Sequence, residues 1–152
     1  MSMRSYYYNG FGLQIKGELY EKIRTDVLKN TIQMEYPEFY EDIPEAMGLD
    51  GEEFVEAFED WYTNDYGCNS VFAFLAETVS KNDNVRIDYF EGENAGDEAI
   101  MLTYSLPWVY NDTERKLTET ELALLFSKWF DMYLGIDIPP IEFGEVEVEM
   151  YG

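Results

Sequence analysis

Apolar residues in this chain recur with two different periods, and the switches between them mark out the elements. Residues Ser5–Ile15 (SYYYNGFGLQI) are aromatic and β-branched and predict a strand, with Gly10 and Gly12 marking a bulge or a close backbone approach. Leu19, Ile23 and Val27 then recur every four residues. That spacing predicts a helix over 18–29, ended by Asn30 in the left-handed conformation. Residues 35–48 (EYPEFYEDIPEAMG) mix acids and aromatics around two prolines and predict irregular or short-helical chain.

A better-marked helix follows. Asp50 can cap the amides of a helix starting at Gly51, Glu53 stands at the reciprocal capping-box position, and Leu49 can staple onto Phe54. Phe54, Phe58, Trp61 and Tyr62 form its apolar stripe. Asn69 or Ser70 caps a third helix running to about Ser80, with Val71, Phe72, Leu75 and Val79 turned inward.

The strand period returns over 84–90 and 99–106, and the polar loop EGENAGDE between them predicts an antiparallel hairpin. Thr118 and Glu121 then make a capping box, and Leu117 and Leu122 a staple. Leu122, Leu125, Phe126, Trp129, Phe130 and Tyr133 recur at helical spacing until Gly135 closes the helix. Pro139 and Pro140 lead into a last strand, IEFGEVEVEMYG, in which Val146, Val148 and Met150 alternate with Glu145, Glu147 and Glu149. The phase of that alternation shifts at Gly144, where a bulge is expected. The order is strand, helices, strand, strand, helix, strand. It predicts an α+β fold, one domain over 1–152, with a mostly antiparallel four-stranded sheet in βαββαβ (ferredoxin-like) order. Residues 35–80 form an acidic helical insertion within it.

Composition sharpens this picture. The chain has 152 residues, 46% apolar and 17% aromatic, which is a folding composition, since disordered acidic chains are poor in both classes. Cys68 is the only cysteine, so a disulfide framework and a thiolate metal cluster are excluded, and a reducing cytoplasm is the expected compartment. No run is apolar enough for a signal peptide or a bilayer span, and the sequon at Asn111 and Thr113 is read as a turn. There is no histidine, which removes Ser-His-Asp and Cys-His catalysis, H-E-x-x-H zinc sites and imidazole bases. Glycine-rich phosphate loops are also missing. No catalytic residue, cofactor site or metal site is therefore expected.

Charge changes the picture most. The net charge is −22. Residues 1–34 carry five basic and three acidic residues, and residues 35–152 carry five basic and 29 acidic ones. Between Asn30 and Ser80 lie 13 acids with no Lys or Arg. Like charges this dense repel, so folding gives no reason to collect them, and a basic partner does.

Glu52, Glu53, Glu56, Glu59 and Asp60 lie opposite Phe54, Phe58 and Trp61, and Glu38, Glu41 and Asp42 precede them among aromatics. Carboxylates beside rings suit the Arg-rich surface of another protein. A compact chain of this length is roughly 38 Å across. Spread over that length, the charge amounts to about one per 1.7 Å, comparable to duplex DNA.

In size and charge the chain resembles the acidic proteins of phages and mobile elements that mimic DNA to block restriction or CRISPR nucleases. That resemblance implies a non-enzymatic inhibitor that binds a basic, nucleic-acid-binding enzyme, without itself touching nucleic acid or membrane. Two other readings stand beside it. One is a small enzyme using carboxylates and a divalent metal, for which Asp83, Asp88, Glu91, Glu93, Asp97 and Glu98 gather at the hairpin without calcium-loop spacing. Glu114 and Lys116 also give the end of a nuclease-like metal motif, but in a turn. The other reading is adaptation to high salt with an unrelated function.

Overall fold

β1 (Ser5–Ile15) is the strand on which the sheet is assembled. In the computed structural model, which describes residues 5–66, 70–92, 98–103 and 118–151, it pairs on both sides. β3 (Glu98–Thr103) runs antiparallel along one side, with Leu13 opposite Ile100. β4 (Gly144–Tyr151) runs antiparallel along the other, with Gly10 opposite Val146 and Gly12 opposite Gly144. β2 (Asp88–Glu91) pairs antiparallel with β3, giving the sheet order β2-β3-β1-β4. The chain is thus a small α+β fold with a four-stranded antiparallel sheet.

Strand alternation sends Phe11 and Ile15 into the main core with Ile100 and Leu102, while Ala99, Met101 and Val148 form a smaller buried cluster on the other face. Gly10 and Gly12 point to that second face, under Met101. A Cβ at Gly10 would strike the Leu102 carbonyl, and one at Gly12 the Ile100 carbonyl. The close backbone approach expected from these glycines is present.

The six α-helices of the described residues are α1 (Glu18–Glu21), α2 (Thr25–Glu35), α3 (Glu38–Asp42), α4 (Gly51–Tyr66), α5 (Val71–Asp83) and α6 (Glu119–Trp129). Short 3-10 turns cover Pro44–Gly48 and Pro140–Glu142, and a π turn at Phe130–Leu134 extends α6. The single helix expected over 18–29 is in fact two. Arg24 is extended (φ −87°, ψ 112°), and its amide donates to the Leu134 carbonyl at 3.0 Å. Gly135, at φ +67°, sits so close that an added Cβ would stand 2.7 Å from the Arg24 Cβ. The break therefore lies where the end of α6 docks. Asn30 falls inside α2, whose buried stripe is Leu28, Thr31 and Ile32.

Ser70 caps α5 as expected, accepting the Phe72 amide at 3.1 Å. That helix runs past Ser80 to Asp83 and ends on Asn84, at φ 54°. The strand expected from residue 84 therefore starts at Asp88, because Asn84 takes the left-handed cap position. Thr118 caps α6 through the Glu121 amide, and Gly135 closes the π turn. Leu117, the sequon and the Glu114 and Lys116 motif lie outside the described residues.

The aromatic centre that positions the acidic segment sits between α3, α4 and α5. Phe58 is fully buried and packs edge-on against Phe74 (4.9 Å) and Phe39 (5.4 Å), and stacks on Tyr62 (5.4 Å). Phe39 also meets Phe54 at 5.9 Å and Trp61 at 5.4 Å, so α3 lies on the inner face of α4. α5 is buried all round over Val71–Ala76, and its polar residues gather in its second half.

Candidate functional site

The inner stripe of α4 fixes what its outer face must be. With Phe54, Val55, Phe58, Trp61 and Tyr62 buried, helical spacing turns Glu52, Glu53, Glu56 and Asp60 to solvent, and all four are exposed. No ion pair or hydrogen bond within the described residues engages these four carboxylates. Glu52 and Glu53 lie in the first turn, where the helix dipole favours negative charge. Glu56 and Asp60 have no such compensation.

Other acids of the block are occupied. Asp50 takes Lys29 at 3.1 Å, and Lys29 also reaches the Met47 carbonyl and lies over the Phe54 ring. Glu35 holds Lys81 at 3.4 Å and Asn82 at 2.8 Å. Glu77 accepts the hydroxyls of Tyr36 and Tyr62. Both cations in these contacts flank the block, one on each side, and pin its ends.

Of the α3 acids, Glu41 is exposed and Glu38 half-buried. Asp42 accepts the Trp61 indole N–H at 2.8 Å, which ties α3 to the second half of α4. Six of the eight residues expected to meet a partner are thus exposed: Glu41, Asp42, Glu52, Glu53, Glu56 and Asp60.

Glu59 is different. It is half-buried, and its carboxylate accepts the Val71 amide at 2.9 Å, in the first turn of α5. Burial pushes its pKa above the usual carboxylate value, against the opposing pull of that amide and of the Tyr20 hydroxyl. Tyr20 is pushed up to about 12, first by burial, while its bond to the Ser70 hydroxyl (3.2 Å) works the other way. Periodicity had placed Glu59 on the outer face. Only the position of the α5 N-terminus reveals its inward contact, and that is a tertiary fact.

A cleft of about 440 Å³ opens between α1 and α4. Its rim carries Glu21, Glu52, Glu56 and Glu59, its wall Tyr20, Ile23 and Val55, and it contains no cation. A second cleft, about 420 Å³, lies by the end of β1 and mixes Lys16 and Lys22 with Glu18, Asp137 and Glu142. A third cleft, about 460 Å³ beside β4, is lined by Glu145 and Glu147 and, like the α1–α4 cleft, carries no cation. On β4, Glu145 and Glu147 are exposed along the edge of the sheet, where charge also guards against strand-to-strand aggregation. Among the described residues, no group of three or more acids is arranged to hold a metal ion, and no helix is long and apolar enough to cross a membrane. No protein-family model, curated protein or solved structure matches this chain.

Proposed function

We propose that this chain is a non-enzymatic, cytoplasmic binding protein whose acidic surface occupies the nucleic-acid-binding site of a basic protein. The observation that carries this reading is the outer face of α4, where Glu52, Glu53, Glu56 and Asp60 are exposed with no cation among them. An ordinary solvated helix face mixes signs and gains from Glu-to-Lys pairs four apart, whereas this one sets Glu56 four residues from both Glu52 and Asp60. Carboxylates here would take the place of phosphates in a groove lined by Lys and Arg, and the field of the whole chain would steer association. Glu41, Asp42 and the half-buried Glu38 of α3, which packs against the inner face of α4, are further acids proposed to meet the partner.

The scaffold reading that goes with this is βαββαβ, ferredoxin-like, with the acidic helices inserted over 35–80. Its support is the strand order β2-β3-β1-β4, antiparallel at every pairing. Inhibition of a restriction or CRISPR nuclease is the form of the proposal that size and charge favour.

The test is capture from a lysate of the cells that carry the protein, followed by elution with duplex DNA and, separately, with salt. Release of a nucleic-acid enzyme by DNA is the expected result. Retention of that enzyme in excess DNA, or recovery of no basic protein at low salt, contradicts the proposal.

A further inference from the structure

Glu59 joins three helices, the consecutive α4 and α5 and the earlier α1. It projects from α4, its carboxylate receives the Val71 amide of α5 at 2.9 Å, and it meets the Tyr20 hydroxyl of α1. Tyr20 in turn contacts Ser70 at 3.2 Å, and Ser70 caps the Phe72 amide at 3.1 Å. The first two amides of α5 are thus held by two different side chains, one its own cap and the other a carboxylate borrowed from α4. Ser70 is buried, while Glu59 lines the α1–α4 cleft and so stays within reach of solvent protons.

We propose that the Glu59 carboxylate is a proton-sensitive clasp, which when charged fastens the first turn of α5 to α4 and when protonated loosens that turn. The inference stands apart from the partner reading and holds whether or not a basic partner exists. Loss of charge weakens the clasp because a neutral carboxyl is a poorer acceptor for an amide and no longer complements the positive end of the α5 dipole. Its surroundings favour proton uptake. The charged groups facing it are Glu98 from β3 and Asp60 beside it on α4, and Glu21 of α1 with Glu52 and Glu56 of α4 line the same cleft. All are anionic. Tyr89 of β2 joins the cluster through Ser70 and Glu98, and burial pushes its hydroxyl pKa upward. The proton thus relieves a desolvated, crowded carboxylate while releasing one local contact. Local loosening is accordingly expected without global loss of stability.

The experiment is an NMR titration of the full chain from pH 8 to pH 4, following the Val71 and Phe72 amides and their exchange protection. The Val71 resonance should titrate with a midpoint above the ordinary carboxylate range, and it should still do so in Glu98→Gln. Val71 protection should fall on the order of tenfold relative to mid-helix amides as the proton binds, about the effect of losing one charge-assisted hydrogen bond. Glu59→Gln should show the loosened first turn at pH 7 and no pH response there, with a melting temperature no lower than the wild type. A Val71 resonance that stays flat across the range, or one whose titration disappears in Glu98→Gln, overturns the proposal. So does full Val71 protection in Glu59→Gln.

Discussion

Replacing Glu56 with Lys should stabilise the protein, and the size of the gain measures how far the α4 face departs from what folding alone would choose. Glu56 is exposed and lies four residues after Glu52 and four before Asp60. In the wild type both pairs repel, each at about 0.2–0.5 kcal/mol, and the substitution turns both into attractions of about the same size. The swing is therefore roughly 0.8–2 kcal/mol. Its larger part comes from the Glu52 pair, because an acid N-terminal to a base is the better orientation along a helix. For a chain of this length each kcal/mol moves the melting temperature by about 2–4 °C, so a rise on the order of 2–8 °C is expected. Thermal melts followed by circular dichroism at low salt measure it. The gain should shrink in 0.5 M NaCl, about where the Debye length falls below the separation of the pairs. A melting temperature that is unchanged or lower at low salt would refute the argument that this face is kept at a cost to stability.

Two further outcomes follow from the same structure. Burial holds Glu59, Glu98 and Asp88 above their ordinary carboxylate values, so the folded state binds these protons more tightly than the unfolded chain. Between the unfolded and folded values the native state carries more protons, and stability falls as pH rises through that window. Calorimetry should accordingly give a higher melting temperature at pH 5 than at pH 7.5, and the reverse order would contradict the burial of these groups. Phe58→Ala should cost about 3–5 kcal/mol in urea unfolding, because the fully buried ring fills the junction of Phe39, Tyr62 and Phe74. A loss under about 1 kcal/mol would mean that the aromatic centre does not position α4.

Elements marked by local chemistry were legible from the residues alone. β1 spans Ser5–Ile15 as its aromatic and β-branched run suggested, and the caps at Ser70 and Thr118 and the left-handed Gly135 are where their side chains or φ preferences place them. What escaped was set by partners distant in sequence. The break between α1 and α2 depends on the Leu134 carbonyl more than a hundred positions away, so the spacing of Leu19, Ile23 and Val27 could not disclose it. Asn84 looked like the start of a strand because Val85 and Ile87 follow at period two, yet its tolerance of positive φ made it the end of α5. At the candidate site the helical period of α4 correctly exposed Glu52, Glu53, Glu56 and Asp60. It misplaced Glu59, since a carboxylate on the border of the apolar stripe faces solvent or a neighbouring helix according to what that neighbour offers. The Gly51 amide shows the same limit, since its bond to the Thr25 hydroxyl of α2 reaches across 26 positions of sequence.

The central claim is that the outer face of α4 is a docking surface. Its most direct test is the affinity of the captured basic protein for the wild type and for Glu53→Lys/Glu56→Lys/Asp60→Lys, measured calorimetrically with both chains shown to be folded. Glu59 is left intact in this variant because its carboxylate holds α5. The account predicts weakening on the order of 100-fold or more, as expected when several interfacial charges are made repulsive. Affinity within about twofold of the wild type would contradict it.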